Sequence, residues 1–164
     1  MAVPLPVALS VASPQLIPLI EKILEAEQWK DPLIWVEADR TYELMRQAHL
    51  AIAKSGTVTL ELALHHTPTV VIYALSWLDY FISYHLLRIR LPFYALPNLI
   101  AGKQIFTELM GPTLTQTRLN TAVKALLDAH TRSAIQDLCQ ELDNHLSDKM
   151  PSDEAAHAAL QYLT

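Results

Sequence analysis

The stretch LAIAKSGTVTLE, residues 50–61, decides how this chain is read. Leu50 to Ala53 is an unbroken apolar run, Lys54-Ser55-Gly56 interrupts it, and a helical pattern runs from Gly56 to about His65. Strands covered on both faces read as continuous apolar runs, so this order is the strand-to-helix unit of a parallel sheet. The start of such a helix carries unpaired backbone N–H groups and the positive end of the helix dipole, which favour an anion. Gly56 lets an anion approach the backbone, and Ser55 and Thr57 add hydroxyl groups. Thr57 and Glu61 share a helix face. A carboxylate there is suited to ribose hydroxyls beside a diphosphate. Two plainer readings stand beside this one: Ser55 caps the helix, and Glu61 faces water. The motif is neither a Walker loop nor the dinucleotide fingerprint.

On either side of this stretch the same alternation recurs. Pro6 to Ala12 reads as a strand, followed by a helix from about Ser13 to Gln28 with Ser13 as N-cap and Pro14 in its first turn. Its apolar face is Ile17, Ile20, Ile23 and Leu24. Leu33 to Val36 is a second strand and Thr41 to Gln47 a short helix. Beyond the central stretch, Thr69 to Tyr73 is a fourth strand, and Ser76 to Arg90 a helix with an aromatic stripe. That stripe, with Arg88 and Arg90 at its end, suits either a core-facing helix or an anionic membrane surface.

Phe93 to Leu96 reads as a fifth strand leading into Pro97-Asn98. Asn98 either binds a ligand or satisfies its own turn. After Gly111-Pro112 the pattern is helical: Leu119, Ala122, Val123, Leu126 and Leu127 form one face, and Ile135, Leu138, Leu142 and Leu146 another. A last helix opens at Asp153-Glu154. The expected fold is α/β, a Rossmann-like three-layer parallel sheet with a C-terminal helical extension. Residues 1–112 are expected to form this sheet domain and residues 113–164 helices packing on it. Ligands of such sheets bind beyond the carboxyl ends of the strands, where Ser55-Gly56-Thr57 and Pro97-Asn98 fall.

Composition narrows the classes. With 51% hydrophobic and 18% charged residues in 164, a packed core is expected and disorder is not. A net charge of −5 argues against a general nucleic-acid binder. Cys139 is the only cysteine, which excludes an intrachain disulfide and fits a reducing compartment. The uncharged stretch from Met1 to Ile20 carries four prolines and no basic start, so it suits neither a signal peptide nor a membrane helix. The adjacent His65 and His66 lack the spacing of a metal pair. No metal and no cofactor are expected.

Residues 51–109 together resemble the lipid-A-disaccharide synthase family. The resemblance is carried by Ser55-Gly56-Thr57 with Thr59-Leu60-Glu61, by Thr67-Pro68 ahead of Val70 to Tyr73, and by Tyr94 to Lys103 with Glu108-Leu109. Weaker similarity continues to Asp153-Glu154-Ala155-Ala156. The family's fold is GT-B, two Rossmann-like domains around a cleft, and the matching half is the C-terminal one. The resemblance implies an inverting glycosyltransferase of lipid A biosynthesis. It joins UDP-2,3-diacylglucosamine to 2,3-diacylglucosamine 1-phosphate and releases UDP without a metal.

Carried over, Ser55, Gly56 and Thr57 contact the diphosphate, Glu61 the ribose, and Asn98 faces the cleft near the donor. The catalytic acidic residue is expected on an N-terminal acceptor domain with no counterpart in this sequence. An arginine expected in a Gly-Ser-Arg segment ahead of Pro6 is also absent. The implied partners are that N-terminal half or a second copy of the chain, with peripheral contact to the inner membrane. The implied location is the cytoplasm of a Gram-negative bacterium. A non-catalytic nucleotide-binding module, or a relic working only with a partner chain, is the alternative.

Overall fold

The computed structural model describes residues 5–74, 91–147 and 159–160. The aromatic helix expected over Ser76 to Arg90 and the helix opening at Asp153 lie outside the described residues. The chain divides into two compact units, Met1–Ala48 and His49–Thr164.

In the first unit, strand β1 (Val7–Val11) pairs in parallel with β2 (Leu33–Glu37), Leu9 standing opposite Trp35. Between them Ser13 caps a 3-10 turn, its hydroxyl accepting from Gln15 N–H, and helix α1 (Ile17–Ala26) follows. Helix α2 (Thr41–Gln47) is joined to the end of β1 by a 2.7 Å hydrogen bond between the Ser10 and Thr41 hydroxyls. Burial here is thin. Val11 and Met45 are buried, while Ile23 and Ile34 are each 52% exposed, so the expected apolar face of α1 is only partly covered.

The second unit is built around β3 (Ala51–Lys54), β4 (Thr69–Tyr73) and β5 (Thr107–Met110), all parallel and in that order. Helix α3 (Thr57–Leu64) links β3 to β4. Helix α4 (Leu96–Ala101) precedes β5, and α5 (Gln116–Leu127) and α6 (Ala129–Ser147) follow it. Strand parity separates two cores. Val71 and Phe106 pack with Ala63 of α3 and with Cys139 and Leu142 of α6. On the other face Val70 and Leu109 pack with Leu126 of α5, and Leu119, Ala122 and Val123 lie against them. Helix–sheet–helix layering is therefore present, with parallel strands covered on both faces as their apolar runs require.

Two readings are corrected. Phe93 to Leu96 is not a strand. The N–H groups of Tyr94 and Ala95 go to the Glu108 carboxylate rather than to a ladder, and Leu96 already begins α4. The fifth strand is Thr107–Met110 instead. Leu127 does not join the face formed by Leu119, Ala122, Val123 and Leu126. It ends α5 and is 46% exposed, its carbonyl accepting from the Arg132 guanidinium at 2.7 Å. That bond satisfies a carbonyl left open at the helix end.

Candidate functional site

The carboxyl ends of β3, β4 and β5 are marked by Lys54, Tyr73 and Met110. This is the edge of a parallel sheet at which ligands are expected. The Lys54 ammonium stands 5.8 Å from the centroid of the Tyr73 ring, a cation held beside the strand ends. The sequence reading passed over Lys54, although a basic residue closing a strand before a Ser-Gly turn is a signal in its own right.

Ser55 continues the sheet, its N–H donating to Ile72 O at 2.9 Å. It does not cap α3. The N-cap is Gly56, in extended backbone conformation, with no side chain accepting from the first turn. The Ser55 hydroxyl donates to Tyr94 O over a long 3.4 Å, a bond easily surrendered to a better acceptor. Gly56 and Thr57 are exposed, and a Cβ built on Gly56 would meet nothing within 4 Å. Among the described residues, no side chain covers the amides of this helix start. Behind it the fully buried Thr59 donates its hydroxyl to Gly56 O at 2.7 Å, fixing the turn.

One turn along α3, Glu61 is half-buried. Its carboxylate has no hydrogen bond or ion pair among the described residues, although only its backbone is used to end the helix. Its oxygens are therefore available to accept hydrogen bonds from an incoming group. Ser55, Gly56 and Thr57 therefore lie together where the chain leaves the carboxyl end of β3, with Glu61 one helical turn further along α3.

Asn98 differs from its expected place. It is wholly buried and its amide is saturated. Oδ1 accepts from Ile105 N–H at 2.8 Å and Phe106 N–H at 2.9 Å. Nδ2 donates to Phe106 O at 2.8 Å and to Glu108 Oε1 at 2.7 Å. All four positions of the amide are spent, so Asn98 offers nothing to a cleft. It ties α4 to the start of β5. At the far end of α3, His66 adopts left-handed backbone (φ 53) with its imidazole Nε2 3.6 Å from Asp143 of α6.

Cys139 lies in the core, where burial pushes its thiol up to about 12. It stays protonated at neutral pH and is no nucleophile. Among the described residues no group of three or more His, Cys, Asp or Glu is placed to hold a metal ion. No helix among them is long and apolar enough to cross a membrane.

The family model described as lipid-A-disaccharide synthetase matches residues 4–161. The chain is 42% identical over 102 residues to the lipid-A-disaccharide synthase of Chlamydia trachomatis serovar D, covering 62% of this chain and 17% of that protein. It is similar at 43% identity, again over 102 residues, to the one from Chlamydia muridarum. The enzyme of the same name from Synechocystis sp. is 32% identical over 159 residues, 96% of this chain and 39% of that protein. The chain thus spans well under half the length of these curated relatives. With a matching family model over nearly its whole length and parallel α/β architecture, this chain belongs to the lipid-A-disaccharide synthase family.

Proposed function

We propose that this chain is the donor-binding part of a lipid-A-disaccharide synthase, holding the UDP portion of UDP-2,3-diacylglucosamine at the start of α3. The observation that carries the reading is the uncapped helix start at Ser55-Gly56-Thr57, with the Glu61 carboxylate, which has no partner among the described residues, one turn away. The diphosphate accepts from the free amides at Gly56 and Thr57, and the Ser55 hydroxyl turns from Tyr94 O to a phosphate oxygen. Glu61 accepts from the ribose hydroxyls. Asn98 acts indirectly, by holding α4 in place.

In glycosyl transfer the bond between the sugar carbon and the β-phosphate oxygen breaks and negative charge gathers on departing UDP. Fixed N–H groups and the helix dipole stabilise that charge where it develops. The acceptor is 2,3-diacylglucosamine 1-phosphate, whose hydroxyl attacks from the opposite side and inverts the configuration. The base that takes its proton belongs to the acceptor half. Holding acceptor and donor in line supplies much of the barrier lowering, so these residues alone bind UDP without transferring sugar. Under this reading the chain works in the cytoplasm, against the inner membrane that holds the acylated substrates.

The test separates binding from folding. Gly56→Ala places a methyl group in open space and is expected to cost only about 0.5 kcal/mol of stability. It obstructs a phosphate approaching the backbone, and UDP affinity by calorimetry is expected to fall about tenfold. Glu61→Ala is expected to weaken UDP by a similar factor and uridine nearly as much. Two stable variants that bind UDP as the parent does would remove the assignment.

A further inference from the structure

We infer that Glu108 is the positioning residue that sets the geometry of the donor site, although it lies on β5 and touches no donor-binding group itself. It stands opposite Val71 in the β4–β5 register, so its side chain leaves the sheet on the face covered by α3, α4 and α6. Its carboxylate gathers three donors. Oε1 accepts from Ala95 N–H at 2.9 Å and from Asn98 Nδ2 at 2.7 Å, while Tyr94 N–H is shared between Oε2 at 3.0 Å and Oε1 at 3.2 Å.

The Tyr94 and Ala95 amides belong to no sheet ladder or helix, and a side chain from the sheet fixes them instead. Charged acceptors make the stronger hydrogen bonds, and three of them on one carboxylate leave this backbone little freedom. The carbonyl of the residue so held, Tyr94, is the acceptor of the Ser55 hydroxyl. A single chain of bonds therefore runs from the edge strand through Glu108 and the Tyr94 peptide to Ser55. It sets where the Ser55 hydroxyl points when the site is empty and how far the loop stands from an incoming phosphate. Asn98 belongs to the same assembly, since its second amide proton ends on Glu108.

The inference rests on the donor-site reading of α3 given above, and the experiment separates the two. Glu108→Ala removes all three bonds. Glu108→Gln keeps an acceptor oxygen for Ala95 and Asn98 but turns an amide N–H₂ toward Tyr94 N–H. Amide exchange and proton shifts of Tyr94 and Ala95 are followed by NMR, and UDP affinity by calorimetry, well below the unfolding temperature.

The expected result is loss of protection at both amides, and UDP affinity about tenfold weaker in Glu108→Ala. In Glu108→Gln, Ala95 is rescued fully, Tyr94 only in part through its longer bond to the retained oxygen, and affinity lies between parent and alanine variant. If Glu108→Ala does not fold, the glutamine variant decides through the same split between Tyr94 and Ala95. A parent chain that does not bind UDP overturns the donor-site reading. A parent that binds, with variants that bind equally well or keep both amides protected, overturns the role of Glu108 alone.

Discussion

Replacing Asn98 with leucine is expected to destabilise the second unit by about 4 kcal/mol, because each buried polar group left unpaired costs about 1–3 kcal/mol. The substitution keeps the number and branching of heavy atoms and leaves no cavity to blame. What it removes is the partner of Ile105 N–H, Phe106 N–H and Phe106 O together. These groups precede β5 and no water reaches them, since Ile105 and Phe106 are themselves buried. Asn98→Asp sharpens the test. It keeps an acceptor for the two N–H groups but sets a second oxygen against Phe106 O and the Glu108 carboxylate, so it is expected to be no better than leucine. Urea midpoints, compared at equal slope, measure both. A leucine variant within 1 kcal/mol of the parent would contradict this account of the amide, an amount set by the smallest cost of one unpaired group.

Phe106→Ala is the second large effect, expected at about 3–5 kcal/mol by the same denaturation measurement. Phe106 is fully buried in the core that joins α3, α4 and α6 to the sheet. Truncation there loses the transfer energy of the ring and leaves a cavity that three packed helices cannot easily close. Phe106→Leu keeps most of the volume and is expected to cost about 1–2 kcal/mol. Equal losses for the two would mean that shape at this position matters less than the packing implies.

The βα unit at residues 50–61 was legible because each signal agreed: an apolar run, a Ser-Gly break, then helical spacing. β4 falls over Thr69–Tyr73, the limits its β-branched run dictates. The segment Phe93 to Leu96 was misread because apolar and aromatic residues in a short run look like a strand whether or not a ladder exists. Its amides are satisfied by a side chain fourteen residues away, which no local pattern reveals. β5 was hidden for the complementary reason. It is four residues long and carries Glu108 in its middle, so neither alternation nor a pure apolar run marks it.

The same limit governs Asn98. A polar residue inside an apolar segment announces that something polar must meet it, but not whether that is a ligand or the protein's own backbone. The partners at Ile105 and Phe106 decide, and they are tertiary. Ser55, by contrast, stood between two local readings, and the helix-cap alternative fails because its hydroxyl donates to Tyr94 O.

Whether the start of α3 takes the diphosphate of UDP is decided by titrating the labelled chain with UDP and following its amide NMR signals. Shifts are expected to saturate together and to centre on Ser55 to Glu61, with a second group at Tyr94 and Ala95 transmitted through the Ser55 hydroxyl. UMP, lacking one phosphate, is expected to move the same amides at higher concentration. Saturating shifts confined to the first unit or to α5 and α6, with Gly56 and Thr57 unmoved, would contradict the account.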